Sequence, residues 1–389
     1  MNNSKKTSYR GNSFIYLIVL TITIIVTFFV LASIISSIKN DIFVGKQINQ
    51  NVKAAPLELL VSSMGVQNAY FSQNFSKDEG ILSFERILLK SVLQINFWET
   101  KSLFGAEIPG LSLYNTKILI PGVGTDNSNL PFESSPPVED LLLEREIAQK
   151  ELEKLNEFQK SNKPKKPLVN NLENKRVLIY HSHSYESFLP LLGLTNDPDR
   201  NKAVDAKTNI TLVGEMLAQE LEEQGIGSIV DKTNIGHELN KKGWKTAKAY
   251  EVSRSIVQTT ISNNKDIEYL IDIHRDSARK KTTTAVINNK PYARVYFVVG
   301  MASKNYEKSF TLAKEIHSKL ELDYPGISRG IFEKGLDDGN GHYNQDLSQN
   351  SILIEIGGVD NNMEEIKNTV DALAKVLGNY ILSIENGLE

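Results

Sequence analysis

His181, His183 and Glu186 follow directly on the apolar run VLIY at 177–180. About ninety residues on, the run IEYLIDI at 267–273 ends in His274, Arg275 and Asp276. A third run, ILIEI at 352–356, holds a single acid, Glu355, and leads into Gly357 and Gly358. Imidazoles and carboxylates brought to strand ends are the donor set of a zinc site or of general acid–base chemistry. Residues two apart on an extended strand face the same side, so His181 and His183 share a site if the strand runs that far. The H-x-x-E spacing of His183 and Glu186 lets a turn fold the carboxylate back beside the imidazole. With His274 this gives three ligands and leaves the fourth position of a tetrahedral zinc for water. Zinc would acidify that water and polarise a carbonyl. Glu355 is a charge in an apolar strand, where an unpaired acid is costly, and fits the carrier of the water's proton. Asp272, two before His274, is placed to act as a partner to its ring.

The remaining candidates are weaker. His237 and His317 fall in helical or loop contexts with no partner and read as structural, while His342 lies in a Gly-rich stretch and its role is open. Ser182, Ser184 and Ser187 beside the histidines raise a Ser–His–Asp hydrolase, but the chain has no G-x-S-x-G elbow. It has no cysteine, which excludes disulfides, thiolate zinc sites and a cysteine nucleophile. Any metal must therefore be held by His, Asp or Glu. The net charge of −3 gives no sign of nucleic-acid binding.

At 389 residues the chain suits one large domain with appendages. Residues 14–38 carry no charge and are rich in Ile, Val, Leu and Phe, enough to span a bilayer. The run is too long for a secretory signal and lacks a small-residue cleavage site. Lys5, Lys6 and Arg10 precede it, so the positive-inside rule places residues 1–13 in the cytoplasm and the rest outside. Residues 39–135 form an extracytoplasmic region, with helices expected at 57–64 and 87–97 and a strand at 115–120. Phe97, Trp98, Phe104, Leu111 and Tyr114 are available to pack a small subdomain there. Residues 136–174 read as a charged run over 138–160, a solvated helix or a short coiled coil, followed by a linker rich in Lys, Pro and Asn. Strands then alternate with helices from 175 to 389. Helices are expected at 209–224, 245–262, 305–320 and 363–381, with 326–350 as a loop. The alternation predicts an α/β fold with a mostly parallel central sheet flanked by helices.

The blocks IYHSHSYESFLP (179–190), VGEMLAQELEEQG (213–225), DIHRD (272–276), SRGI (328–331), YNQDL (343–347) and LIEIGG (353–358) resemble the stage II sporulation protein P family of spore-forming Gram-positive bacteria. The resemblance implies a membrane-anchored zinc hydrolase of peptidoglycan. Its fold would be like that of zinc N-acetylmuramoyl-L-alanine amidases. It would release the stem peptide from N-acetylmuramic acid, with endopeptidase action on cross-links also attributed to the family, during septal wall thinning and engulfment. Peptidoglycan is the implied substrate, and stage II sporulation proteins D (a lytic transglycosylase) and M (a membrane protein) are the implied partners. His274 matches the second histidine ligand and Glu355 the catalytic glutamate. His183 or His181 is the first ligand. The carboxylate ligand is Glu186, the family's local acid, or Asp205, at the position just before the first helix that related amidases use. Arg275, Asn344 and Gln345 are expected to contact the carboxylate and amides of the stem peptide, Arg being suited to bidentate carboxylate recognition. A zinc carboxypeptidase or endopeptidase, or a wall-binding scaffold without catalysis, are the alternatives that product analysis and turnover would separate.

Overall fold

The computed structural model describes residues 116–131, 136–161, 174–336 and 339–385, together with Thr23 and Thr27. The chain divides into two compact units, Met1–Ser102 and Leu103–Glu389. In the first, Thr23 and Thr27 are helical, and the Thr27 hydroxyl donates to the Thr23 carbonyl at 2.8 Å. The rest of the expected anchor at 14–38 lies outside the described residues, as do the helices expected at 57–64 and 87–97 and the five side chains expected to pack a small subdomain. No described helix is long and apolar enough to cross a membrane.

In the second unit the strands are β1 (Lys117–Pro121), β2 (Lys175–Tyr180), β3 (Gly227–Val230), β4 (Tyr269–Asp276), β5 (Thr284–Ile287), β6 (Lys290–Ala293), β7 (Val295–Gly300), β8 (Ser328–Lys334) and β9 (Asn350–Gly358). The helices are α1 (Gln149–Ser161), α2 (Thr211–Glu223), α3 (Ile235–Lys241), α4 (Ala249–Asn263), α5 (Lys280–Thr283), α6 (Tyr306–Asp323) and α7 (Met363–Glu385). Seven strands form one sheet in the order β1-β8-β7-β9-β4-β2-β3, and β5 and β6 form a separate hairpin.

The sheet is mixed, which corrects the expectation of a mostly parallel one. β3, β2, β4 and β9 run parallel to each other, but β7 pairs antiparallel with β9, and β1 antiparallel with β8. The reversal follows the β5–β6 hairpin, whose turn residues Asn288 and Asn289 have φ of 50° and 63°. That backbone suits a tight hairpin turn, and Asn tolerates it. β8 lies within 326–350, the stretch expected to be a loop; SRGIFEK offers only Ile331 and Phe332 as large apolar residues, a weak strand pattern. The body also begins before residue 175. β1 pairs with β8, Leu141 is fully buried in a short 3-10 helix over Val138–Leu142, and α1 starts only at Gln149. The single helical run expected at 138–160 is thus two pieces, and Leu155 and Phe158 pack on the core.

One face of the sheet carries α2, α6 and α7. Val213, Leu217 and Leu221 of α2, and Ile366, Val370, Leu373, Leu377 and Ile381 of α7, recur at helical spacing and are buried against Ile179, Ile271, Ile273, Ile354 and Ile356. The opposite face receives α4, whose Val257 packs on Leu178, Tyr180 and Leu270. Odd-numbered residues of β2 and β4 therefore face α2 and even-numbered ones face α4, as the strand repeat requires.

Gly214 in α2 packs directly against His181. A Cβ there would lie 2.4 Å from His181 Nε2 and 3.2 Å from Ile179 Cγ2. Alanine favours helix over glycine by about 1 kcal/mol, yet overpacking at so close a contact costs about 1–3 kcal/mol. Gly214→Ala is therefore expected to lower stability in thermal unfolding; a variant as stable as wild type would contradict this packing.

Candidate metal centre

β2 ends at Tyr180, so the alternation that would have placed His181 beside His183 stops there. His181 keeps the direction of Val177 and Ile179 and is buried against α2, with its Nδ1 3.1 Å from the Asp231 carbonyl. Desolvation dominates its surroundings and lowers its pKa to about 4. The chain then turns through Ser182–Tyr185, with the Glu186 N–H donating to the His183 carbonyl at 2.9 Å. This turn carries His183 to the other side and folds Glu186 back beside it, as the H-x-x-E spacing allows.

His183, Glu186 and His274 come together: one donor atom from each lies within 4.8 Å of the others, and all three are buried. Glu186 Oε1 is 3.4 Å from His183 Nδ1, and Oε2 is 3.6 Å from His274 Nδ1. The Arg275 backbone N–H fixes the carboxylate by donating to Oε2 at 2.9 Å. His183 Nδ1 and His274 Nδ1 are buried and make no hydrogen bond. Two orphaned imidazole nitrogens facing one carboxylate fit a metal ion, since buried polar atoms are otherwise satisfied.

The electrostatics favour a cation at this place. Burial alone would lower the pKa of His274, but Asp272, Glu186 and Glu355 outweigh it and raise the value to about 10. Burial likewise pushes Glu186 up, and the neighbouring His183, His274 and Arg275 overcome it, holding the group down to about 2. Asp272 Oδ1 lies 3.1 Å from His274 Nε2, an ion-pair contact rather than a hydrogen bond. Asp272 is itself held by the backbone N–H of Ser182 at 2.9 Å and by its hydroxyl at 2.6 Å.

Glu355 stands beside His274. The two are register partners on the parallel strands β4 and β9, and so share a face. Glu355 is 2% exposed. Beyond that pair the register shifts, so that Asp276 aligns with Gly358. The additional β9 residue is accommodated at Gly357, whose φ is 69° and where a Cβ would meet Asn361 Oδ1 at 2.8 Å. This bulge explains the first glycine of LIEIGG.

Aromatic rings bracket the histidines, which sequence reasoning did not anticipate. Tyr185 stacks on His183 at 5.6 Å between centroids, and Tyr250 of α4 lies 5.2 Å from His183 and 5.9 Å from His274. Tyr250 also meets Tyr343 edge-on at 5.2 Å. In the sequence, Tyr185 stands two residues after His183 and Tyr343 opens the YNQDL block, but neither position alone points to the histidines.

The other sequence-derived candidates are placed elsewhere. Asp205 is fully buried, and its Oδ1 accepts the backbone N–H groups of Lys207 and Thr208 at 2.8 Å each, which makes it a turn cap outside the group. Arg275 is 1% exposed and its guanidinium binds the Ala203 and Asp276 carbonyls at 2.9 and 3.2 Å. Gln345 accepts from the Gly300 N–H and donates to the Val298 carbonyl. Asn344 donates to Ser253 Oγ at 3.0 Å. These three, expected to touch substrate, are buried and bonded within the protein. Of the serines, Ser184 caps the start of α3 through the Ile235 N–H, and Ser187 donates to the Thr208 carbonyl. His317 is bonded to Ser328, and His237 and His342 are exposed.

A sequence model of the family described as Stage II sporulation protein P (SpoIIP) matches residues 99–378. The Stage II sporulation protein P of Bacillus subtilis (strain 168) is 41% identical over 369 residues, covering 94% of this chain and 91% of that protein. Among solved structures, Cwp6 from Clostridium difficile aligns over 56% of this chain and 30% of its own, at 18% identity and a TM-score of 0.29.

Proposed function

Since the chain belongs to the stage II sporulation protein P family, we propose that it is a zinc-dependent peptidoglycan hydrolase of sporulation that cleaves the amide between N-acetylmuramic acid and the L-alanine of the stem peptide. The observation that carries the reading is the buried group of His183, Glu186 and His274 with Glu355 in register beside it. His183, Glu186 and His274 would hold the zinc ion. When bound, zinc supplies Lewis-acid chemistry, polarising an amide carbonyl and making water more acidic. Glu355 accepts the proton of the attacking water and delivers it to the departing nitrogen, a transfer for which a buried carboxylate beside the reacting atoms is suited. Asp272 orients His274 through Nε2, and the rings of Tyr185 and Tyr250 fix the plane of His183. Residues 14–38 anchor the protein in the membrane with the catalytic unit outside the cytoplasm. Stage II sporulation proteins D and M are the partners this family reading supplies.

The test is product analysis. Full-length protein is incubated with purified sacculi and zinc, and the released fragments are read by mass spectrometry. Free stem peptides with intact N-terminal alanine, leaving muramic acid with a free lactyl group, are expected. Shortened stem peptides alone would replace the amidase with a peptidase.

Metal removal gives a second expected outcome. A chelator strong enough to strip zinc abolishes hydrolysis, and added zinc restores it. Because an ion that binds only the folded state stabilises it by mass action, the stripped protein also melts at lower temperature. Hydrolysis unchanged after verified loss of metal would contradict the metal's role.

A further inference from the structure

Asp272 is the near end of a chain of buried hydrogen bonds that leaves the metal group. Its Oδ2 accepts from Ser182 Oγ at 2.6 Å, which uses that hydroxyl's only proton. Ser182 Oγ lies 2.8 Å from Ser253 Oγ, and with its own proton on Asp272 it accepts there; the Ser253 proton has this short contact and a longer one, 3.3 Å, to the Tyr250 carbonyl. Ser253 Oγ accepts in turn from Asn344 Nδ2 at 3.0 Å. The orientation of the Asn344 amide is set at its other end, where Arg254 approaches Oδ1 at 3.5 Å while gripping Asp346 with two bonds of 2.7 and 2.6 Å. All donors thus point one way, from Asn344 through Ser253 and Ser182 to Asp272. Ser182, Ser253 and Asn344 are 0%, 2% and 3% exposed, so water does not compete for these groups.

This polarity has a consequence for His274. Asp272 is supplied with donors from Ser182 on one side and offers Oδ1 to His274 Nε2 on the other. The Asp272 carboxylate draws the Nε2 side of the ring by charge at 3.1 Å, while Nδ1 lies 3.6 Å from Glu186 Oε2. Second-layer carboxylates set the ring orientation and basicity of metal-binding histidines in this manner. We propose that Ser253 and Asn344 are positioning residues of the metal centre, acting through Ser182 and Asp272 on His274. The YNQDL block then serves the metal centre from within the protein. The inference rests on the metal reading of His183, Glu186 and His274.

The test measures zinc affinity of the full chain by competition with a chromogenic chelator, for wild type, Ser253→Ala, Ser253→Thr, Asn344→Asp and the double variant Ser253→Ala/Asn344→Asp. Asn344→Asp keeps the shape and the attraction to Arg254 but can no longer donate, so it holds the loop while breaking the chain. Circular dichroism melting of the zinc-free proteins follows folding separately. Ser253→Ala and Asn344→Asp are each expected to bind zinc about tenfold more weakly, and Ser253→Thr to stay close to wild type. The double variant is expected to lose no more than either single one, because both cut the same chain. Wild-type affinity in folded Ser253→Ala, or losses that add in the double variant, would overturn the proposal. Absence of zinc binding by wild type would instead overturn the metal reading on which it rests.

Discussion

Glu355→Gln is expected to lower the rate of stem-peptide release by about 10²- to 10⁴-fold, the usual contribution of a general base. Glutamine fills the same volume but cannot accept the proton. The carboxylate is 2% exposed and lies next to His274 in register on β9. The substitution leaves His183, Glu186 and His274 intact, so zinc content is expected to stay at the wild-type level. The pairing of lost turnover with kept metal is what identifies a proton carrier. Full turnover in the variant would remove Glu355 from the reaction, and lost zinc would make it part of the metal group instead.

Arg329→Met is expected to cost about 3–5 kcal/mol of stability, the usual result of removing one partner from a buried ion pair. Arg329 and Asp276 are each 1% exposed and are paired through Arg329 NH1 and Asp276 Oδ2. Arg329 also donates to the Asn129 carbonyl at 2.6 Å and lies 5.0 Å over the Tyr296 ring. Its loss leaves a carboxylate in the sheet without its cation and releases the segment around Asn129. The melting temperature is expected to fall by on the order of 10 °C. The double variant Asp276→Leu/Arg329→Met is expected to recover much of the loss, since apolar side chains of similar volume replace buried ion pairs at little cost. A single variant with wild-type melting would show the pair to be dispensable.

The donors of the metal group were legible because their types and spacing are themselves chemistry. H-x-x-E after a buried strand needs only one turn to bring His183 and Glu186 together, and the apolar run before His274 fixes where that ring emerges. The choice between His181 and His183 was not legible, because it depends on β2 ending at Tyr180 rather than two residues later. Arg275, Asn344 and Gln345 are of types suited to the carboxylate and amides of a stem peptide, and their own types do not reveal their internal partners. Only tertiary packing shows that their partners are backbone carbonyls, backbone N–H groups and a serine hydroxyl. The parallel half of the sheet followed from its continuous apolar runs. The reversed strands β7 and β8 did not, since an Asn-Asn hairpin turn and a strand with two large apolar residues leave a faint pattern. Of the region before 175, the strand expected at 115–120 overlaps β1, but its pairing with β8 joins residues more than two hundred apart in sequence.

The most direct measurement is the zinc content of full-length protein, purified and dialysed, by inductively coupled plasma mass spectrometry, for wild type beside His274→Ala and Glu186→Gln. The account predicts about one zinc per wild-type chain, as expected of a site with three protein ligands, and a content far below that in both variants. Zinc absent from the wild type, or retained in full by both variants, would contradict a metal centre built on His183, Glu186 and His274.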